Sequence, residues 1–474
     1  MKSANLSRRS LLAGSAALAA GCSLLESPLS PPSSPKVTEL NWAVIGEFAS
    51  LDDPDGQLLS NESVLQGGLA ALAEDKENPY GPERGRFNIT LRYAERWPKQ
   101  DSPPKDLEEW LAYFVEVLDS FSADLVTVSP LLTNFLREHG HLLPLDRFLG
   151  KEKAGVEAEF FSSVLEPQRG PGGLYALPVA ALPQMAVYDA AYFDKRGVPP
   201  VDSTWDWDVL VRNAERLTLR HENGEVARWG AVTLGSLIDG IWWAIWQNEA
   251  NVVDPESLQC RLHEPASLEA LQFFRDLIHR HHVSPPLDSG HRHNLWSGVT
   301  PLFALQYSTP ALAPTTLDFR LAELPRGRAR AAPVGVDLGI AIAARTEKAE
   351  AAYTALRGVV GAMQRFVRVP AERETLARLG EIRKRLRADE VAAVQRSMEH
   401  GRKVPQFGVE FLAMSRIISD LVRGDDVATV VNSACSLMDE QREFCLKNPD
   451  DPRCIFSWPA PIELLRFRGP PELP

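Results

Sequence analysis

Apolar and polar positions alternate over residues 37–48 (VTELNWAVIGEF) and 87–94 (FNITLRYA), and residues 124–128 (DLVTV) form a short apolar run. A period of two, or a short β-branched run, predicts a strand at each place. Between them, residues 63–72 read as a helix. Residues 106–118 place Leu107, Trp110, Leu111, Phe114 and Leu118 on one helical face behind a carboxylate. Strands and helices alternating through short connections predict an α/β lobe with a parallel sheet. Ligands approach such sheets at the carboxyl ends of the strands, which makes Glu47 and Ser129 candidate binding residues.

Residues 172–197 (GGLYALPVAALPQMAVYDAAYFDKRG) carry two apolar segments, 174–179 and 185–188, with Pro178 and Pro183 between their cores. Proline has no N–H to give to a ladder, so two prolines five residues apart argue against one central strand. The pattern predicts two strands around a loop, either as buried core or as a crossing from one lobe to a second. Ser203 and Asp206 then have capping-box spacing ahead of a helix bearing Trp207, Leu210, Val211, Ala214 and Leu217. Residues 228–234 read as a strand. Residues 238–248 (IDGIWWAIWQN) hold Trp242, Trp243 and Trp246, which suit either a packed core or the stacking of indoles on sugar C–H faces. Residues 302–307 read as a strand leaving Gln306 and Tyr307 at its end. Residues 333–343 read as a second crossing strand, 346–364 as a helix, and 372–400 as a charged, solvated helical stretch. A last amphipathic helix, opened by Pro405, sets Phe411, Met414, Ile418 and Leu421 on one side, and another helix runs through Met438.

The chain has 474 residues, enough for two lobes, and 44% of them are apolar. The net charge of −12 argues against nucleic acid as a partner, because phosphates need a basic surface. Beyond residue 25 no apolar run is long enough to span a bilayer. Residues 1–21 read as a signal peptide: Lys2, Arg8 and Arg9 precede the apolar residues 11–20, and SRRSLL (7–12) matches a twin-arginine export signal. LAAGC ends at Cys22, which suits lipidation after cleavage, although Leu18 stands four residues before the cysteine rather than three. Residues 22–36, rich in Ser and Pro, form a tether that would hold the folded body off a membrane.

In an exported chain the remaining cysteines, Cys260, Cys435, Cys445 and Cys454, become disulfide candidates with three possible pairings. Cys445 and Cys454 flank the polar loop LKNPDDPR, and closing it would contribute about 2–3 kcal/mol in the chain-entropy model. The pairing of Cys260 and Cys435 stays open. His279, His281, His282, His291 and His293 fall in one run, but no cysteine or carboxylate stands at ligand spacing, so no metal or other cofactor is expected. There is no GxSxG or Walker pattern, and no pair of carboxylates stands out as glycosidase machinery.

Several segments, in order, resemble the sugar-binding solute-binding proteins of ABC importers, the broad family that includes maltose-binding protein. They are GLYALP (173–178) with VYDAAYF (187–193), TWDWD (204–208) with LT (217–218), GVTPLFA (298–304), and VPQF (404–407) with RGDD (423–426). The resemblance covers about residues 37–440. It implies a two-lobed α/β periplasmic binding protein fold, each lobe a mainly parallel sheet flanked by helices, joined by a three-segment hinge near residues 177–181, 333–336 and 395–404. It divides the chain into one lobe of 37–178 and 337–398, another of 179–336 and 399–445, and a tail of 446–474. It further implies a monomer that is not an enzyme, is anchored outside the cytoplasm, and delivers a carbohydrate or related solute from the interlobe cleft to a permease. By position the cleft residues are Glu47, Ser129, Trp242, Trp243, Trp246, Gln306, Tyr307, Asp337 and Phe411. Pro130, Leu131 and Leu132 stand where relatives offer Asp or Arg, so an altered ligand or a non-transporting member is the alternative, with an exported glycoside-processing enzyme behind it.

Overall fold

The computed structural model describes residues 37–45, 61–74, 87–94, 107–150, 153–231, 241–254, 257–286, 302–306, 318–404 and 409–448. The first described strand begins at Thr38. Strand β1 (Thr38–Ile45) lies between β2 (Phe87–Ala94) and β3 (Leu125–Val128), parallel to both. Its burial follows from its two covered faces. Leu40, Trp42 and Val44 enter one core, and Ala43 and Ile45 enter another. Helices α1 (Asn61–Glu74) and α2 (Leu107–Ser120) make the crossovers, as the spacing predicts. Asp124 fixes the start of β3: its carboxylate accepts from the Asn41 backbone N–H at 2.8 Å. Helix α3 (Pro130–Glu138) follows β3 directly. The Ser129 hydroxyl accepts from the Leu132 N–H at 3.3 Å, and the Ser129 carbonyl accepts from Thr133 Oγ1 at 3.0 Å.

The stretch expected to be two strands around a loop is one strand, β4 (Ala176–Asp189), with both prolines inside it. The reason is its partners. Its first half pairs antiparallel with a later long strand, Ala332–Ile342, from Ala176↔Ala341 to Pro183↔Val334. Its second half pairs with β5 (Leu302–Gln306) and β6 (Phe319–Ala322). Pro178 sits where the first ladder shifts register, and Pro183 is the last residue before the strand changes partners. A missing N–H is tolerated at such irregular points. The Ala332–Ile342 strand, β7, also pairs antiparallel with β3 (Gly339↔Val128) and parallel with β8 (Gly401–Lys403). The three segments expected to cross between lobes therefore run side by side. Gly401 is required there, because a Cβ would meet Val334 Cγ2 at 2.7 Å and the Met398 carbonyl at 2.9 Å.

Two large apolar clusters lie on either side of this crossing. One joins β1, β3, the first half of β4 and β7 to α7 (Ala349–Met363). The other joins Ala186 and Tyr188 of β4 to α4 (Trp207–Leu217), α5 (Trp242–Gln247), α6 (Pro265–His279), α9 (Val409–Arg423) and α10 (Val427–Lys447). Helix α8 (Ala388–Glu399) packs on β4 and β6. The charged helical stretch expected over 372–400 is thus three pieces, Arg373–Ala377, Leu379–Ile382 and α8. The cap of α4 also differs from the expected Ser203 box. Asp206 is itself the N-cap, accepting from the Val209 N–H at 2.8 Å.

Cys260 and Cys435 form a disulfide across 175 residues. Cys445 is disulfide-bonded as well, and its partner lies outside the described residues. His279 bonds the Leu421 carbonyl of α9 at 2.9 Å, whereas His281 faces Glu215 of α4 at 3.0 Å, so these two imidazoles diverge. His291 and His293 lie outside the described residues. No described helix is long and apolar enough to cross a membrane.

Candidate functional site

The pairing of β7 creates an opening. Strand β4 holds one edge of β7 from Val334 to Ala341, so β3 and β8 must share the other edge. β3 ends at Val128, opposite Gly339, and β8 ends at Lys403, opposite Val334. Among the described residues no strand covers that edge between these levels, a span of about 16 Å at the usual rise per residue. Asp337 lies at the centre of the span, in a bulge where Val336 and Leu338 face the successive residues Ala181 and Ala180.

On one side of this floor stand Ser129 and the N-terminus of α3, whose dipole favours electronegative groups. The Ser129 hydroxyl itself is occupied as the cap. On the other side stand Arg402, Lys403 and Glu410, which sequence reasoning did not single out. Arg402 and Lys403 alternate along β8 and so point to opposite faces. Arg402 holds its guanidinium carbon 4.6 Å from the Trp246 ring centroid and donates to Asn251 Oδ1 at 2.7 Å. Lys403 keeps contact with solvent, yet burial is the main influence on it and lowers its pKa. Glu166 and Glu410 oppose that shift, and Arg137 adds to it. Glu410, in the first turn of α9, has its pKa raised by burial despite the nearby Lys403 ammonium. Two opposite charges, one exposed and one partly buried, thus stand near each other at the end of β8 and the start of α9.

Gln184 adds a neutral polar group at the crossing. It is fully buried, and neither amide atom has a hydrogen bond among the described residues. It pairs in register with Gln306, the last residue of β5. A single polar residue inside the run VAALPQMAVY was the signal that could have found it. For Arg402 and Lys403 the signal was their place at the end of the predicted third crossing, and for Glu410 its place beside Phe411.

The tryptophans correct an expectation. Trp242 and Trp243 are each 1% exposed, and packing occupies their rings. Trp243 meets Trp207 edge-on at 6.1 Å, and Trp207 stacks on Phe273 at 4.2 Å. These residues are core because α5 is short and buried all round, so two of its three indoles have no open face. Trp246 is also buried, with Arg402 over its ring. Ser129 follows the end of β3, and the backbone of Asp337 lies in β7 between the levels of Val128 and Lys403. Phe411 is the third residue of α9, two turns of sequence beyond Val404. Glu47 and Tyr307 lie outside the described residues.

The family model for bacterial extracellular solute-binding proteins matches residues 113–354. The chain belongs to this family. Membership places the protein outside the cytoplasm and makes it a binding protein rather than an enzyme, which sets the glycosidase alternative aside. The same fold is found in an ABC substrate-binding protein from Listeria monocytogenes in complex with cycloalternan, at 13% identity and a TM-score of 0.63, covering 86% of this chain and 100% of that one. It is found in a cyclo/maltodextrin-binding protein complexed with maltotetraose, at 15% identity and a TM-score of 0.64, covering 86% and 98%. UgpB from Mycobacterium tuberculosis in complex with glycerophosphocholine shares it too, at 18% identity and a TM-score of 0.59, covering 81% and 97%. At these identities the likeness is one of fold: two lobes of mixed α/β structure.

Proposed function

We propose that this solute-binding protein is the lipid-anchored substrate-binding subunit of an ABC importer. It holds a carbohydrate or related polar solute over the open edge of β7 and delivers it to a permease. The observation that carries the reading is the span of β7 between Val128 and Lys403 that no strand covers among the described residues, with the three crossing strands beside it. Closure about those strands would bring Ser129 and the start of α3 toward Glu410 and α9, as hinge motions do around a ligand. The backbone edge, the α3 N-terminus and the charges of Lys403 and Glu410 suit a solute with many hydroxyls or an ionic group. The neighbours' ligands, cycloalternan, maltotetraose and glycerophosphocholine, support this range of solutes.

The lobes in this reading are 37–178 with 337–398 and 179–336 with 399–445, with α8 at their boundary. Residues 1–21 are the twin-arginine signal peptide, Cys22 carries the lipid, and residues 22–36 are the tether. Cys454 is the partner of Cys445, which leaves 446–474 as a tail pinned at its start. The protein works as a monomer beside its permease.

A panel of mono- and oligosaccharides, sugar acids, polyols and glycerophosphodiesters should contain a member that raises the melting temperature, by mass action on the folded form. A flat response across the panel would count against the binding role. Cys22→Ala should release the protein from the membrane fraction. If the variant stays membrane-bound, lipidation at Cys22 is wrong while the binding role stands.

A further inference from the structure

The Cys260–Cys435 disulfide joins the loop ahead of α6 to the middle of α10, in the second apolar cluster. It has close company. His263, exposed in the turn before α6, brings a ring nitrogen within 4.8 Å of both sulfurs. Asp439 stands one helical turn beyond Cys435, and its carboxylate lies 3.5 Å from the Cys260 backbone nitrogen. Two sulfurs and an imidazole thus converge from two elements, and the Asp439 carboxylate lies against the backbone of Cys260. The neighbouring cation does not compete for that carboxylate, since Arg261 is engaged by Asp254 and Glu264.

The frame around this cluster does not depend on the sulfur–sulfur bond. Cys260 lies in an isolated bridge with Val253, and the Arg261 N–H donates to the Val252 carbonyl at 2.9 Å. Arg442 of α10 donates to the Ser257 carbonyl at 2.7 Å. These bonds keep the loop against α10 with the cysteines apposed.

We infer that reduction of this bridge by an extracytoplasmic dithiol of the thioredoxin class opens a zinc site formed by Cys260, Cys435 and His263, with Asp439 in reach as the fourth ligand. The dithiol supplies two electrons and two protons. The sulfur–sulfur bond breaks, the dithiol leaves as a disulfide, and the chain gains two thiols. Zinc then replaces the two thiol protons, which pass to solvent, and two zinc–sulfur bonds form. Two thiolates and an imidazole are three donors of a set that tetrahedral zinc accepts, with the fourth position left to Asp439 or water. The inference needs nothing from the β7 floor, so it is independent of the transport reading.

The test uses the full-length chain, oxidised and then reduced with a phosphine under anaerobic conditions, titrated with Co²⁺ as the spectroscopic probe for zinc. The reduced protein should take up one equivalent and show a thiolate-to-cobalt charge-transfer band, and the oxidised protein should show none. Cys435→Ser should abolish the band and His263→Ala should weaken cobalt binding at least tenfold, while Cys445→Ser should leave it in place. Retention of native tryptophan fluorescence after reduction supports the inference, because the site needs its frame. It is overturned by the absence of a band in the reduced chain, by a band indifferent to His263→Ala, by a band lost in Cys445→Ser, or by unfolding on reduction.

Discussion

Two groups of charge in this protein are handled in opposite ways. Around Glu323, at the end of β6, every partner is in place. Its carboxylate, 6% exposed, accepts from Arg330 at 2.7 Å and from Arg396 of α8, while its backbone carbonyl accepts from Trp205 Nε1 at 2.9 Å. Around Lys403 and Glu410 the charges sense each other, but no direct ion pair or hydrogen bond joins either to another described residue. The first group ties β6, α8 and the start of β7 together. The second sits beside the open edge of β7 and has bonding capacity left for something else. A satisfied buried charge belongs to the fold, and an unsatisfied one beside a gap is available to a ligand.

The sharpest way to break this comparison is Glu323→Ala. Removing one partner of a buried ion cluster typically costs 3–5 kcal/mol. Here both guanidiniums retain some access to solvent, so a loss of about 3 kcal/mol, at the low end of that range, is expected. Urea unfolding monitored by tryptophan fluorescence would measure it, and a change below about 0.5 kcal/mol would place Glu323 among ordinary surface residues.

Next in size is Lys403→Ala. Stability should hardly move, because the ammonium has no direct partner to lose. Affinity for the solute found in the melting panel should fall about tenfold, or roughly 1.4 kcal/mol. Calorimetric titration would show it, and an unchanged affinity would remove Lys403 from the site.

Smallest is Glu410→Gln. Glu410's folded pKa is raised by burial, so the folded chain holds a proton at pH values where the unfolded chain has released it. Its contribution to stability is full below the ordinary carboxylate range and is lost as pH rises through the raised folded value. The glutamine variant should therefore match the wild type in acid and melt slightly higher at neutral pH, while binding solute more weakly. Melting curves across that range would record the divergence, and parallel curves would contradict the desolvation argument.

Much of the first lobe was legible in the chain because its signals are local. Alternation at Leu40, Trp42 and Val44 marks one face of β1 whatever lies across from it. In the second lobe the Ser203–Asp206 spacing announced the start of α4, although the cap is Asp206 itself, accepting from the Val209 N–H three residues away. The order of short motifs was enough to expect three crossings and a cleft.

Other features depended on partners far away in sequence. Pro178 and Pro183 read as strand breakers until β7, more than 150 residues on, supplies a ladder with a bulge and an end where their missing N–H groups cost little. Three tryptophans in five positions read equally as core or as a sugar platform, and only the packing of Trp207 and Phe273 assigns Trp243 to the core. The partner of Cys260 had no local signal, because it lies on a helix 175 residues away. Lys403 and Glu410 acquired their meaning in the same way. Composition and periodicity determine which residues seek burial and which backbone they favour. Which strand ends short of which, and therefore where an edge lies beside Lys403 and Glu410, is a property of long-range pairing that only the tertiary structure decides.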